Sequence, residues 1–374
     1  MIINIGVIDH KTELFEGQYP IPNGIRYNSY LIIDEDIAIL DTVDKEYSEE
    51  WLNNLDKELK GKEPKYLVVH HVEPDHSGSI LKLLDKYPNI CVVGNAKTFS
   101  MLENFYPITI NNRKVVNNNE VLSLGKTSLQ FVLAPMVHWP EVMVSYSKEE
   151  KALFSADSFG TFGTSLDNWE EEASRYYFGI VGKYGLPASK LIQVAKTLDI
   201  EKIYSLHGPE LLSNISYYLD LYEKWATYTP TKPGVLILCA SVYGNTMKAA
   251  NMLGDKLTKL KVNNEVIDLN KVDLSYSVGK AFLYDKLVLA SITYNGDVFP
   301  KMRDLINRLG ERTYQNRTVA FIENGSWGIV SAKVMKGILE GFKNITFIDE
   351  VLTIKSSIKD SDLPSIEALA LKLK

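Results

Sequence analysis

Apolar and polar positions follow two regimes along this chain. Up to about residue 225 the apolar runs are short and many alternate with polar residues. Residues 2–8 are β-branched and apolar. Tyr27-Asn28-Ser29-Tyr30-Leu31-Ile32-Ile33 alternates up to an Asp34-Glu35-Asp36 turn, and Ile37-Ala38-Ile39-Leu40 follows, which predicts a hairpin. Ser48–Leu59 puts Trp51, Leu52, Leu55 and Leu59 on one helical face and charges on the other. Residues 66–69, 90–93, 128–133, 142–146, 152–155 and 203–206 read as further short strands. Across 225–234 Thr and Pro crowd together and the periodicity stops, so we expect a linker there and two domains, 1–228 and 233–374. Beyond it the pattern changes. Residues 235–240 are uninterruptedly apolar, as in a strand buried on both faces of a parallel sheet. Strand-like runs at 266–269, 286–290 and 318–322 then alternate with helical segments, one carrying Met302, Leu305 and Leu309. This predicts a doubly wound α/β sheet.

Composition narrows the class. At 374 residues the chain is long for one core, and 45% apolar with 24% charged residues is ordinary for a globular protein. A net charge of -6 without a basic block argues against nucleic acid as the partner. No run approaches the length of a membrane helix and no signal-peptide pattern opens the chain, so a cytoplasmic protein is expected. Cys91 and Cys239 sit in strand-like runs without a CxxC pair and read as buried free thiols.

The candidate chemistry centres on His71-Val72-Glu73-Pro74-Asp75-His76-Ser77-Gly78, directly after the 66–69 strand. Only six histidines occur in the chain, and two are here. The alternation predicts that His71, Glu73 and Asp75 point one way while His76 closes the turn. The arrangement of strand, then His or Asp, then turn recurs at Pro135-Met136-Val137-His138-Trp139-Pro140, at Ala156-Asp157-Ser158, and at His207-Gly208-Pro209. Together these predict a metal site. His10 and His70 lack such a setting and read as ordinary residues.

A second site is predicted at strand ends of the second domain. Ser241-Val242-Tyr243-Gly244-Asn245-Thr246 turns a strand into a helix, where free N–H groups and the helix dipole favour an anion. No Lys follows the Gly, so neutral donors would bind a monophosphate rather than a triphosphate. Two further loops bring Thr293, Tyr294, Asn295 and Gly296, then Asn324, Gly325, Ser326, Trp327 and Gly328. Tyr294 or Trp327 can stack on a flat ring, so the three loops describe a flavin mononucleotide (FMN) pocket.

On these motifs the second domain resembles flavodoxin, and the first resembles the metallo-β-lactamase fold, an αββα sandwich. In this order they resemble the flavodiiron proteins (A-type flavoproteins), which reduce dioxygen to water or nitric oxide to nitrous oxide. The resemblance implies FMN and two non-haem irons. One iron would take His71, Glu73 and His138, the other Asp75, His76 and His207, with Asp157 bridging. It also implies a separate electron donor, such as a rubredoxin or a reduced soluble cofactor, and a head-to-tail homodimer. Hydrolases of the β-lactamase fold use His where Glu73 stands and hold zinc; a zinc hydrolase with an appended flavodoxin is the alternative. Phe15-Glu16-Gly17-Gln18-Tyr19 stands where many members have Phe-His-Gly-Tyr, which leaves the preference between the two gases open. Tyr176 and Tyr177 are expected to serve packing.

Overall fold

Strands of three to six residues cannot cover both of their faces alone, and two sheets in the first part of the chain solve this by packing on each other. The computed structural model describes all 374 residues, which divide into one unit of 1–177 with 184–223 and another of 178–183 with 224–374. In the first unit, one sheet has the order Ile2–Asn4, Tyr30–Ile32, Ala38–Leu40, Tyr66–Val68, Cys91–Gly94, Arg113–Val115. Its first three strands are antiparallel and the rest run parallel to Ala38–Leu40. The other sheet has the order Val121–Ser123, Ser128–Leu133, Met143–Ser147, Ala152–Phe154, Lys202–Tyr204. Tyr30, Ile32, Leu40, Val68 and Val93 of the first sheet share one core with Leu129, Phe131, Met143 and Phe154 of the second. The intervening residues Leu31, Ile39, Leu67 and Val92 are as fully buried, so the outer face of the first sheet is covered too. Trp51, Leu55 and Leu59 of the Ser48–Leu59 helix are buried, as its periodicity requires. The architecture is the sandwich expected of a metallo-β-lactamase-like domain.

In the second unit five parallel strands have the order Asn264–Asp268, Lys232–Ala240, Tyr284–Tyr294, Arg317–Gly325, Ile345–Lys355. That is the doubly wound order 2-1-3-4-5, whose switch point lies between the first and third strands in sequence. Helix Asn245–Lys259 buries Ala249, Ala250, Leu253 and Leu257 against Ile237, Cys239, Val288 and Ile322, and the last helix, Leu363–Lys372, adds Ile366 and Leu369 to the same cluster.

Two sequence expectations change here. Residues 232–234, expected to be linker, open the strand Lys232–Ala240, and residues 225–226 end the helix Ile215–Ala226. A shift in register between Lys232 and Val235 accommodates Pro233, which has no N–H to give a ladder. Gly234 takes φ 143° there, and its amide donates to Asp285 Oδ1 at 2.6 Å. The edge strand Ile345–Lys355 was not expected, because Asp349 and Glu350 interrupt its apolar pattern on an exposed edge.

Candidate functional site

The strand Tyr66–Val68 ends just before His70 and His71, and the chain then makes one helical turn, Pro74–Ser77. Proline suits the first position of that turn, whose N–H would have no partner. Glu73 C=O accepts from His76 N and Ser77 N at 2.9 Å each. The turn overturns the expected alternation. Its winding sends successive side chains to different places, and the motif is divided between two clusters. His71 and Glu73 join His138 and Asp157, whereas Asp75 and His76 join His207.

The geometry is close. His71 Nε2 lies 3.1 Å from Glu73 Oε2, 3.3 Å from His138 Nε2 and 3.6 Å from Asp157 Oδ2. His138 Nε2 lies 3.1 Å from both Glu73 Oε2 and Asp157 Oδ2. In the second cluster His76 Nε2 is 3.1 Å from His207 Nε2, 3.3 Å from Asp75 Oδ2 and 3.2 Å from Asp157 Oδ1. Asp157 therefore turns one oxygen to each cluster. A metal with bonds of about 2.1 Å spaces its donors about 3.0 to 3.4 Å apart, which all of these separations except the 3.6 Å between His71 and Asp157 match. Both oxygens of Asp75 and Oδ1 of Asp157 are buried without a hydrogen-bond partner, as ligand atoms would be.

Charge argues the same way. His71, His76, His207 and Asp157 are at most 1% exposed. Burial opposes a charge on His138, yet hydrogen bonds to Asp157 and Glu73 raise it to about 9. Burial likewise opposes charge on His71, and Asp157, then Glu141 and Glu73, outweigh it and raise it well above the usual range. Burial would raise Glu73, but hydrogen bonds from His138 and His71 bring it down to about 2. The cluster is built to hold positive charge among its donors. Neutral ligand tautomers are set from outside it. His207 Nδ1 donates to Arg26 C=O at 2.9 Å, which leaves its Nε2 lone pair facing inward.

Aromatic rings wall the site. Phe15, Tyr27 and Tyr176 lie 5.4, 5.8 and 5.4 Å from the His207 ring between centroids, and Trp139 lies 5.2 Å from that of His71. Tyr176 is fully buried in this wall. One side is open: Glu73 and Asp75 line a cavity of about 310 Å³ shared with Phe15, Glu16, Tyr27 and Tyr47.

In the second unit a cavity of about 660 Å³ is lined by Ser241, Val242, Tyr243, Asn245 and Thr246, by Thr293, Tyr294, Asn295 and Gly296, and by Asn324, Gly325, Ser326, Trp327 and Gly328. Ile292 and Ser356 complete the lining, which does not include Gly244. Gly244 adopts φ 84°, a left-handed conformation that aims the start of helix Asn245–Lys259 at the cavity, and no side chain caps that helix. Trp327 is 85% and Tyr294 44% exposed, and both line the cavity, so their rings are open to flank a flat one. The cavity's size and donors fit a flavin mononucleotide.

Several supporting residues escaped the sequence reading. Asp41, at φ 56°, accepts through Oδ1 from His70 N at 2.7 Å and His71 N at 3.3 Å, and through Oδ2 from His70 Nδ1 at 2.6 Å. His70 Nε2 meets Ser145 Oγ at 2.8 Å, so His70 is part of the scaffold rather than an ordinary residue. Asn28 Nδ2 donates to the carbonyls of Ser205 and Gly208, on either side of His207, at 2.9 and 2.7 Å. Glu141 reaches His71 and Val72. The one available signal was that Asp41, like the ligands, follows an apolar run, whereas Glu141 stands just before one, Val142-Met143-Val144.

Residues 25–181 match the family model described as ODP family beta lactamase. The chain is 30% identical over 371 residues to an uncharacterized protein of Methanocaldococcus jannaschii, covering 96% of this chain and 93% of that one. It is 27% identical to the anaerobic nitric oxide reductase flavorubredoxin of Vibrio vulnificus, over 87% of this chain and 68% of the relative. It spans about half, 48%, of the length of the diflavin flavoproteins of Nostoc that it also matches. The rubredoxin:oxygen oxidoreductase of Desulfovibrio gigas superposes with a TM-score of 0.91 over 100% of this chain and 96% of that one; at 24% identity this likeness concerns the fold.

Proposed function

The chain belongs to the flavodiiron protein family, and from that premise we propose that it is an oxidoreductase that reduces dioxygen to water, nitric oxide to nitrous oxide, or both. The observation that carries this reading is Asp157, with Oδ2 turned to the donors His71, Glu73 and His138 and Oδ1 to the His76 of the second cluster. On this reading His71, Glu73 and His138 hold one iron, Asp75, His76 and His207 hold the other, and Asp157 joins them. Three carboxylates among four imidazoles are a harder, more anionic set than a histidine-rich zinc site, and suit iron in two oxidation states. Bound FMN and iron together supply the electrons that carry dioxygen to water without releasing it half reduced.

The chain's own residues provide the setting. The aromatic wall around His207 and His71 keeps bulk water off one side, and a small gas enters from the side lined by Glu73 and Asp75. Loop 241–246 offers neutral donors and a helix start to the flavin's phosphate, while Tyr294 and Trp327 flank its ring. Electrons come from a separate donor, either a protein of the rubredoxin kind or a reduced soluble cofactor. Two chains pair head to tail. No helix is long and apolar enough to cross a membrane, and we place the reaction, and the removal of dioxygen or nitric oxide that it serves, in the cytoplasm.

The test starts with metal and flavin analysis of the purified protein. The chain is then reduced stoichiometrically without air, and consumption of dioxygen and of nitric oxide is compared. Iron, FMN and consumption of at least one gas are expected. Zinc without iron, together with hydrolysis of a thioester or lactam, would refute the proposal in favour of a hydrolase.

A further inference from the structure

Two histidines of the first metal cluster are joined by a residue that belongs to neither set of ligands. Glu141 follows His138 by three positions, and its side chain is fully buried. Its Oε1 lies 2.8 Å from His71 Nδ1 and 2.9 Å from Val72 N. Its main-chain oxygen accepts from Asn95 Nδ2 at 2.5 Å, so the residue is pinned from the start of helix Ala96–Phe105 as well.

The contact decides a proton's position. Val72 N is also 3.1 Å from His71 Nδ1. If that amide donated to the ring, Nδ1 would be the acceptor and the ring proton of neutral His71 would sit on Nε2, aimed into the cluster where it blocks ligation. A carboxylate can only accept. Glu141 Oε1 takes the Val72 N–H and obliges Nδ1 to donate, which presents the Nε2 lone pair to Glu73, His138 and Asp157. The negative charge behind the ring also makes Nε2 a stronger ligand.

We propose that Glu141 is a positioning residue for one metal of the pair, setting the tautomer of His71 and coupling its loop to the His138 turn. This rests on the di-metal reading above. The effect is confined to one cluster, because His207 takes its tautomer from the Arg26 carbonyl, which Glu141 does not touch.

The experiment is an anaerobic titration of the full chain, stripped of metal, with Fe(II) against a competing chelator, for wild type, Glu141→Gln and Glu141→Asp. The melting temperature of each metal-free protein is measured alongside. Wild type is expected to bind two Fe(II) per chain. In Glu141→Gln one dissociation constant rises by roughly ten- to a hundredfold while the other changes by no more than about twofold. Glu141→Asp keeps the charge but withdraws the oxygen by one methylene, and gives a one-site loss of the same sign should the Gln variant fail to fold. Unchanged dissociation constants in both variants overturn the proposal. So does weakening of both sites together with a lower melting temperature, which would make Glu141 a prop for the fold. A wild-type chain that takes up fewer than two irons overturns the di-metal reading itself, and the proposal with it.

Discussion

Replacing His70 by Leu removes a histidine that ligates nothing, yet it should unsettle the first unit more than most single changes. Asp41, His70 and Ser145 are each at most 1% exposed. The substitution deletes the 2.6 Å partner of Asp41 Oδ2 and the 2.8 Å partner of Ser145 Oγ. Leaving a buried carboxylate oxygen without its hydrogen-bond partner costs about 3 kcal/mol or slightly more, and stranding a buried hydroxyl adds about 1 kcal/mol. Against this, Asp41 Oδ1 keeps its bonds from the amides of residues 70 and 71, and a leucine in the same space returns about 1–2 kcal/mol of apolar burial. The net expected loss is about 3 kcal/mol. The assay is urea unfolding of metal-free protein, so that ligand binding does not enter. Circular dichroism follows the chain, and flavin fluorescence marks the second unit separately. With a urea slope of about 3 kcal/mol per M, the first unit's midpoint falls by about 1 M. Adding Asp41→Asn removes the stranded charge and should recover at least about 1 kcal/mol. A loss below about 1 kcal/mol for the single variant, or no recovery in the double, would refute the argument that these three groups are mutually dependent.

Two further outcomes are expected. Cys239 is fully buried, and burial pushes its thiol from 9.0 up to about 12. The folded state thus holds this proton more tightly than the unfolded chain does; the thiol's contribution is complete below pH 9 and is lost between 9 and 12, at about 1.4 kcal/mol per pH unit. Cys239→Ala should flatten the alkaline fall in stability over that window, and Cys239 should resist alkylation at pH 8 until the protein is denatured. Gly244→Ala places a side chain at φ 84°, with no neighbouring atom within 4 Å to clash, so backbone strain of about 1–2 kcal/mol is the only cost. FMN affinity should fall by roughly tenfold while the iron content is unchanged, and an unaltered flavin dissociation constant would count against loop 241–246 as the phosphate site.

Much of the plan could be read from the chain itself. Period-two and period-3.6 patterns fix which face of an element is apolar, and that is a local property of residues such as Trp51, Leu55 and Leu59. Strand ends carrying His71, His138, Asp157 and His207 stood out because a buried strand must stop where polar ligands begin. What the one-dimensional pattern cannot hold is direction. The helical turn Pro74–Ser77 sends Glu73 and Asp75 to different clusters, although they sit two residues apart. Asp41, Asn28 and Glu141 meet their partners across 29 to 180 positions of chain. Such contacts exist only once the sheets have paired, and no local rule distinguishes a carboxylate that grips a ligand from one that faces water. The tertiary structure decided which donors meet which, because hydrogen-bond geometry is set by where distant strands end in space.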